Sequence, residues 1–93
     1  MTNEQANALH AATPSRFPAI NAEHHDPDMD GFLGSDQAWI IADVLCGSVS
    51  LEAESSFGIR TVITITPEMA AKLGAALTNF AKIAAHPYFK DYV

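Results

Sequence analysis

Residues 48–66, SVSLEAESSFGIRTVITIT, decide the fold. The first part of this stretch alternates polar and apolar residues with a period of two, which is typical of a half-buried strand. The last part is dense in β-branched residues, which favour strands, and the SSFG between the two parts supplies turn residues. The stretch therefore predicts an antiparallel hairpin with strands at about 48–54 and 58–66.

A helix is predicted at residues 67–85, directly after the hairpin. Thr66 is a residue type that caps helix N-termini, Pro67 suits the first helical position, and Glu68 favours the positive end of the helix dipole. A histidine–proline step after the segment ends the helix. The predicted fold class is α+β: a small antiparallel β-hairpin or three-stranded meander packed against one C-terminal α-helix.

Residues 36–46 (DQAWIIADVLC) leave two alternatives open. Ser35 as an N-cap and Gly47 just beyond the segment favour a helix of about three turns. The aromatic and β-branched residues favour a strand, which extends the hairpin to a meander, and we slightly prefer this interpretation. In both cases Cys46 is expected to be a small buried hydrophobic residue rather than a reactive thiol.

The first third of the chain lacks these regular patterns. Residues 1–22 are polar and are interrupted by Pro14 and Pro18, so we expect a flexible N-terminal arm. Residues 23–36 (EHHDPDMDGFLGSD) contain Asp-Pro, Asp-Gly and Leu-Gly steps, which indicate an acidic loop of turns. A single α+β domain then spans residues 23–93.

The composition is that of a small acidic globular chain. It has 93 residues, of which 48% are hydrophobic, and a formal net charge of −6. Five Lys and Arg residues form no cluster of cations, so direct nucleic-acid binding is not expected. A lone cysteine and the lack of a signal peptide or membrane span predict a cytoplasmic protein, in a bacterium or an infected host cell, that does not bind membranes.

Motifs of the common enzyme classes do not occur in the sequence. It contains no glycine-rich phosphate loop, no serine nucleophile elbow and no paired metal ligands at helical spacing. A chain of this size also has little room for a ligand pocket, which typically occupies about 300–1,000 Å³. We therefore expect a non-enzymatic protein without a resident cofactor.

Charge is distributed unevenly along the chain. The interval between Arg16 and Arg60 contains no Lys or Arg, whereas residues 60–93 carry more bases than acids. The acids of this interval are Glu23, Asp26, Asp28, Asp30, Asp36, Asp43, Glu52 and Glu54. This pattern predicts an acidic side of the molecule.

An acidic side has two interpretations. It is either a solvated surface that aids solubility or a surface that steers a basic partner into contact. We favour the second, in which the chain blocks a basic protein surface. The predicted partner-binding residues are Asp26, Asp28, Asp30, Asp36, Glu52 and Glu54. In size and charge alone, the chain resembles small phage-encoded inhibitors of bacterial defence systems, which implies an inhibitor of a nucleic-acid-binding host protein.

Residues 26–37 (DPDMDGFLGSDQ) also resemble the calcium loop of the EF-hand family. Asp26, Asp28 and Asp30 stand at the first three ligand positions of that family, and a glycine follows at the sixth position. Gln37 stands where the family has a bidentate glutamate, so the resemblance implies at best a weak Ca²⁺ site. A metal-regulated module that uses these three aspartates is the alternative function.

Gly74 lies in the middle of the predicted helix, where a glycine costs about 1 kcal/mol relative to alanine. Small residues on one side of a helix allow another backbone to approach closely. The approaching element is either the protein's own sheet or a second helix across a homodimer axis. The predicted dimer-interface residues are Ala70, Gly74, Leu77 and Ala81.

Overall fold

A computed structural model describes residues 1–26, 31–56 and 58–90 of the chain. The elements in chain order are α1 (Asn3–Ala12), β1 (Arg16–Pro18), β2 (Ala22–Asp26), β3 (Gly31–Asp36), β4 (Ala38–Leu45), β5 (Ser48–Ser55), β6 (Arg60–Ile65), α2 (Pro67–Ala85) and α3 (Pro87–Lys90). A four-stranded antiparallel sheet has the order β1-β4-β5-β6, and β2 and β3 form a separate two-stranded sheet. The sheet and the long C-terminal helix confirm the predicted α+β fold.

The centre of the large sheet is the predicted meander. Most of the segment 36–46 forms strand β4 (Ala38–Leu45) rather than a helix, and β4 pairs with β5 along its whole length. Cys46 and Gly47 connect the two strands with φ angles of 46° and 79°, as in a type I′ turn, which requires positive φ at both central residues. Cys46 is exposed at this turn, so the prediction of a buried cysteine was wrong.

The two faces of the large sheet differ in chemistry, because successive residues of a strand point to opposite sides. The register places ten apolar residues on one side, which we call the apolar sheet face: Phe17, Ala38, Ile40, Ala42, Val44, Val49, Leu51, Ala53, Ile63 and Ile65. The other side, the ionic sheet face, carries Arg16, Trp39, Glu52, Glu54 and Arg60. Among the described residues, Ala38 is the only hydrophobic residue that is buried.

Helix α2 has the predicted bounds and the predicted N-cap. The Met69 N–H donates to Thr66 Oγ1 at 3.1 Å, and Pro67 occupies the first helical position. The helix contacts β5, yet none of its residues is buried. A Cβ atom built on Gly74 would meet no atom within 4 Å, so close packing on the protein's own sheet does not explain this glycine.

The N-terminal segment, for which we predicted a flexible arm, contains helix α1 and strand β1. Thr2 and Gln5 form a reciprocal capping box at the start of α1, which satisfies N–H groups that would otherwise be unpaired. Residues 16–18 pair with β4 as an edge strand, a position in which Pro18 is tolerated because its missing N–H is not needed.

The prediction of an acidic loop of turns at 23–36 was wrong, because β2 and β3 pair there as an antiparallel hairpin. A bulge lies between His24 and His25, and Gly34, opposite His24, has a φ of 143° that side chains rarely adopt. We call residues 22–36 the acidic hairpin.

Candidate functional site

The six carboxylates predicted to bind a partner fall into two groups. Three of them, Asp36, Glu52 and Glu54, form contacts within the chain. Of the other three, Asp28 and Asp30 lie outside the described residues, and Asp26 is described by its backbone. Half of the predicted partner-binding residues are therefore engaged in contacts with other parts of the chain.

Asp36 ties the acidic hairpin together and holds it against the main sheet. Its Oδ1 lies 2.7 Å from His24 Nε2 across the hairpin, and its Oδ2 accepts a hydrogen bond from Ser56 Oγ at 2.9 Å. The Ser56 N–H also donates to the Gln37 carbonyl at 2.9 Å. Because the Asp36 side chain is 5% exposed, it acts in positioning and is not available to a partner.

Glu52 and Glu54 lie on the ionic sheet face, each beside an arginine. Glu52 forms an ion pair with Arg60 on the neighbouring strand, and the Glu52 side chain is 11% exposed. An oxygen of Glu54 lies 3.9 Å from the Arg16 guanidinium, which also stacks over Trp39 at 4.5 Å from the ring centroid. The two arginines that bound the acidic interval of the sequence thus offset the charge of its last two acids.

Of the remaining predicted residues, the structure describes the backbone of Asp26. Asp26 is the last residue of β2, and its backbone pairs with Gly31 at the start of β3. Asp28 and Asp30 lie outside the described residues, between these two strands. Residues 22–36 contain five acids and neither Lys nor Arg, so the hairpin carries a dense negative charge.

The EF-hand resemblance implies a helix–loop–helix, and the described residues have a different geometry. Strands flank the DxDxDG stretch, and residues 31–36 form a ladder with β2. In an EF-hand those same positions would wrap around the ion and supply ligands. No group of three or more His, Cys, Asp or Glu residues in the described part of the chain is arranged to hold a metal ion.

A contact that the sequence did not reveal joins α1 to the sheet. His10 Nε2 lies 2.8 Å from Asp43 Oδ1, and the Val44 N–H donates to the same oxygen at 2.7 Å. These two hydrogen bonds, chiefly the one with His10, lower the pKa of Asp43. The residues are 33 positions apart in the sequence, and no motif connects them. The pair lines an apolar groove of about 390 Å³ between α1 and strands β4 and β5.

The predicted dimer residues lie on a side of α2 that other described residues do not cover. Ala70 is half-buried, whereas Gly74, Leu77 and Ala81 are exposed. The larger apolar side chains of the helix form a neighbouring stripe and are exposed as well. The helix therefore offers more apolar surface than the small-residue stripe alone.

No protein-family model, curated protein or solved structure matches this chain. Across the described residues, no helix has both the length and the hydropathy that a membrane crossing requires.

Proposed function

We propose that the chain is a non-enzymatic binding protein that blocks a basic protein surface with the acidic hairpin. The observation that carries this proposal is the charge of the hairpin, which has five acids without a Lys or Arg. The contact residues are Asp26, Asp28 and Asp30. The target is a Lys- and Arg-rich surface of a cytoplasmic protein, such as the nucleic-acid-binding cleft of a host defence protein.

The ion pairs of the main sheet support this division of roles. Both arginines of the chain are paired with glutamates on the ionic sheet face. The lysines with described side chains, Lys72 and Lys82, lie on α2. Glu52 and Glu54, which are engaged with the two arginines, are therefore not part of the proposed contact surface.

The hairpin is suited to occlusion because it forms a sheet of its own, held to the body by Asp36 and Ser56. The acids of the hairpin attract a basic cleft over about one Debye length, which is about 10 Å at 0.1 M salt. Such steering raises the association rate more than the affinity. Binding then excludes other anions, such as nucleic-acid phosphates, from the same cleft.

The test measures anisotropy of a fluorescent peptide of alternating Lys and Arg, titrated with the whole chain. Asp28→Asn/Asp30→Asn removes two charges from the hairpin, and Glu4→Gln/Glu68→Gln removes two charges from exposed positions on the helices. Both variants have the same net charge, so a difference in their binding reports the position of the lost charges. Two exposed charge pairs at about 0.7 kcal/mol each predict about tenfold weaker binding for the hairpin variant.

The matched variant is expected to bind the peptide within about twofold of the wild type. The difference between the two variants should shrink as salt is raised from about 0.05 to about 0.5 M, because screening weakens exposed charge pairs. Equal weakening in both variants would show that only net charge matters, and the proposed site would then be wrong.

A further inference from the structure

The chain exposes far more surface than a compact protein of its mass. Its accessible surface is 7787 Å², whereas a compact chain of 10.0 kDa has about 5,200 Å². Its radius of gyration is 16.3 Å, against about 12 Å for a compact domain of this length. About 2,500 Å² that a compact fold would bury is thus left open.

The apolar sheet face is part of this open surface. Helix α1 reaches one end of the face, where Ala42, Val44 and Val49 line the groove beside it. Away from that groove, Ile40 and Ile63 are 49% and 56% exposed. A sheet with one apolar face requires a second layer to cover it, and the described residues provide little of that layer.

Helix α2 carries an exposed apolar stripe. The apolar residues Met69, Leu73, Ala76, Phe80 and Ile83 follow one another at alternating spacings of four and three. This heptad-like spacing places them along one side of the helix. Four of the five are exposed, Phe80 by 62%. Among the described residues, most of the apolar sheet face thus has no helix over it, and the apolar stripe of α2 has little surface against it.

We propose that a second copy of this chain covers the apolar sheet face and the apolar stripe of α2. Two copies related by a twofold axis supply each other with the layer that each lacks, because an isologous interface presents both surfaces twice. The excess of about 2,500 Å² on each chain, or about 5,000 Å² for the pair, is large enough to include an interface of the size that obligate homodimers have. Exposed apolar faces on a lone chain would otherwise promote aggregation.

The proposed interface includes the small-residue stripe of α2, the larger apolar side chains beside it and the apolar sheet face. It does not include the acidic hairpin, so the dimer and the proposed partner binding are independent. The open space around Gly74 is then filled by the second copy instead of by the chain's own sheet.

The first test is the mass of the full wild-type chain by sedimentation equilibrium at about 10 µM. We expect twice the chain mass of 10.0 kDa, and a melting temperature that rises with protein concentration, because association stabilises the folded state by mass action. A folded species of 10.0 kDa would overturn the proposal.

The second test uses adjacent residues of one strand. Ile63 and Val62 are 56% and 54% exposed, but they point to opposite faces of the sheet. We expect Ile63→Lys to weaken dimerisation about tenfold or more, since a buried isoleucine is replaced by a charge. Val62→Lys should leave the dimer intact. In a chain without this interface the two substitutions have the same effect on mass, and that result would overturn the proposal.

A corresponding pair on α2 keeps the test decisive if Ile63→Lys prevents folding. Phe80→Lys places a charge in the apolar stripe, and Asn79→Lys places the same charge on the polar side of the helix. Dissociation in Phe80→Lys but not in Asn79→Lys supports the proposal. Equal dimer content in the two variants would contradict it.

Discussion

The link between the acidic hairpin and the main sheet depends on one carboxylate. Asp36→Ala removes the contact with His24 and the hydrogen bond from Ser56 Oγ. The Asp36 side chain is 5% exposed and that of His24 is 17% exposed, so water cannot readily replace the lost partner. We expect the hairpin to detach from the sheet more often in this variant, while the sheet itself stays folded.

The magnitude follows from burial. Leaving a buried polar group without its hydrogen-bond partner costs about 1–3 kcal/mol. Because Asp36→Ala removes both the contact with His24 and the hydrogen bond from Ser56 Oγ, the upper value of about 3 kcal/mol applies. An opening free energy lowered by about 3 kcal/mol corresponds to a more than 100-fold larger open population.

Native-state hydrogen exchange measures this change element by element. Amides in β2 and β3 should exchange about 100-fold faster in Asp36→Ala than in the wild type, in conditions where exchange follows the open population. Amides in β4 and β5 should change little, since their ladder does not involve Asp36. The expected result is therefore faster amide exchange in β2 and β3 together with little change in β4 and β5.

A second Asp–His pair provides the matched control. Asp43 lies 2.8 Å from His10, but its side chain is 52% exposed, so solvent screens this pair and its loss costs much less. Asp43→Ala should leave hairpin exchange unchanged. If Asp36→Ala and Asp43→Ala gave the same exchange in β2 and β3, burial would not be the source of the hairpin's stability and the reasoning would be refuted.

Two further predictions concern the connection of α1 to the sheet and the β4–β5 turn. The pKa of Asp43 is lowered chiefly by its hydrogen bond with His10. The stabilisation that Asp43 contributes is therefore present above about pH 3.9 and is lost as pH falls through the lower pKa of the folded state. The difference in urea stability between wild type and Asp43→Asn should narrow below about pH 4, and a constant difference would contradict this. In thermal melts, Cys46→Asn should stabilise the chain by about 0.5–1 kcal/mol, and Gly47→Ala should destabilise it by about 1 kcal/mol. Both positions have positive φ, which asparagine tolerates better than cysteine or alanine does. If both substitutions stabilised the chain, or both destabilised it, backbone conformation would not decide the stability of this turn.

The elements predicted from the sequence are those with a clear local signal. Strand β5 shows apolar alternation, β6 is rich in β-branched residues, and α2 begins at a cap and ends before a proline. These signals are local because hydrophobic periodicity and capping depend on residues within a few positions of each other. The bounds 67–85 of the helix match the structure.

The acidic hairpin could not be predicted in this way. Strand β2, AEHHD, shows no apolar alternation. The described contact that fixes it against β3, between His24 and Asp36, joins residues 12 positions apart. Strand β1 has three residues and includes Pro18, so it too carries little local signal. Both strands are defined by pairing with distant segments, and periodicity does not report such pairing.

The distribution of charge illustrates the same limit at the level of the candidate site. An interval of eight acids between Arg16 and Arg60 suggests one acidic side, because distance along the chain is taken as distance in space. The antiparallel register instead brings Arg60 beside Glu52 and places Arg16 next to Glu54. The bases that bound the interval thus neutralise its C-terminal end. The other acids of the interval include the five of the hairpin, which has no Lys or Arg of its own, so the proposed partner-binding residues are those of the hairpin and not those of the ionic sheet face.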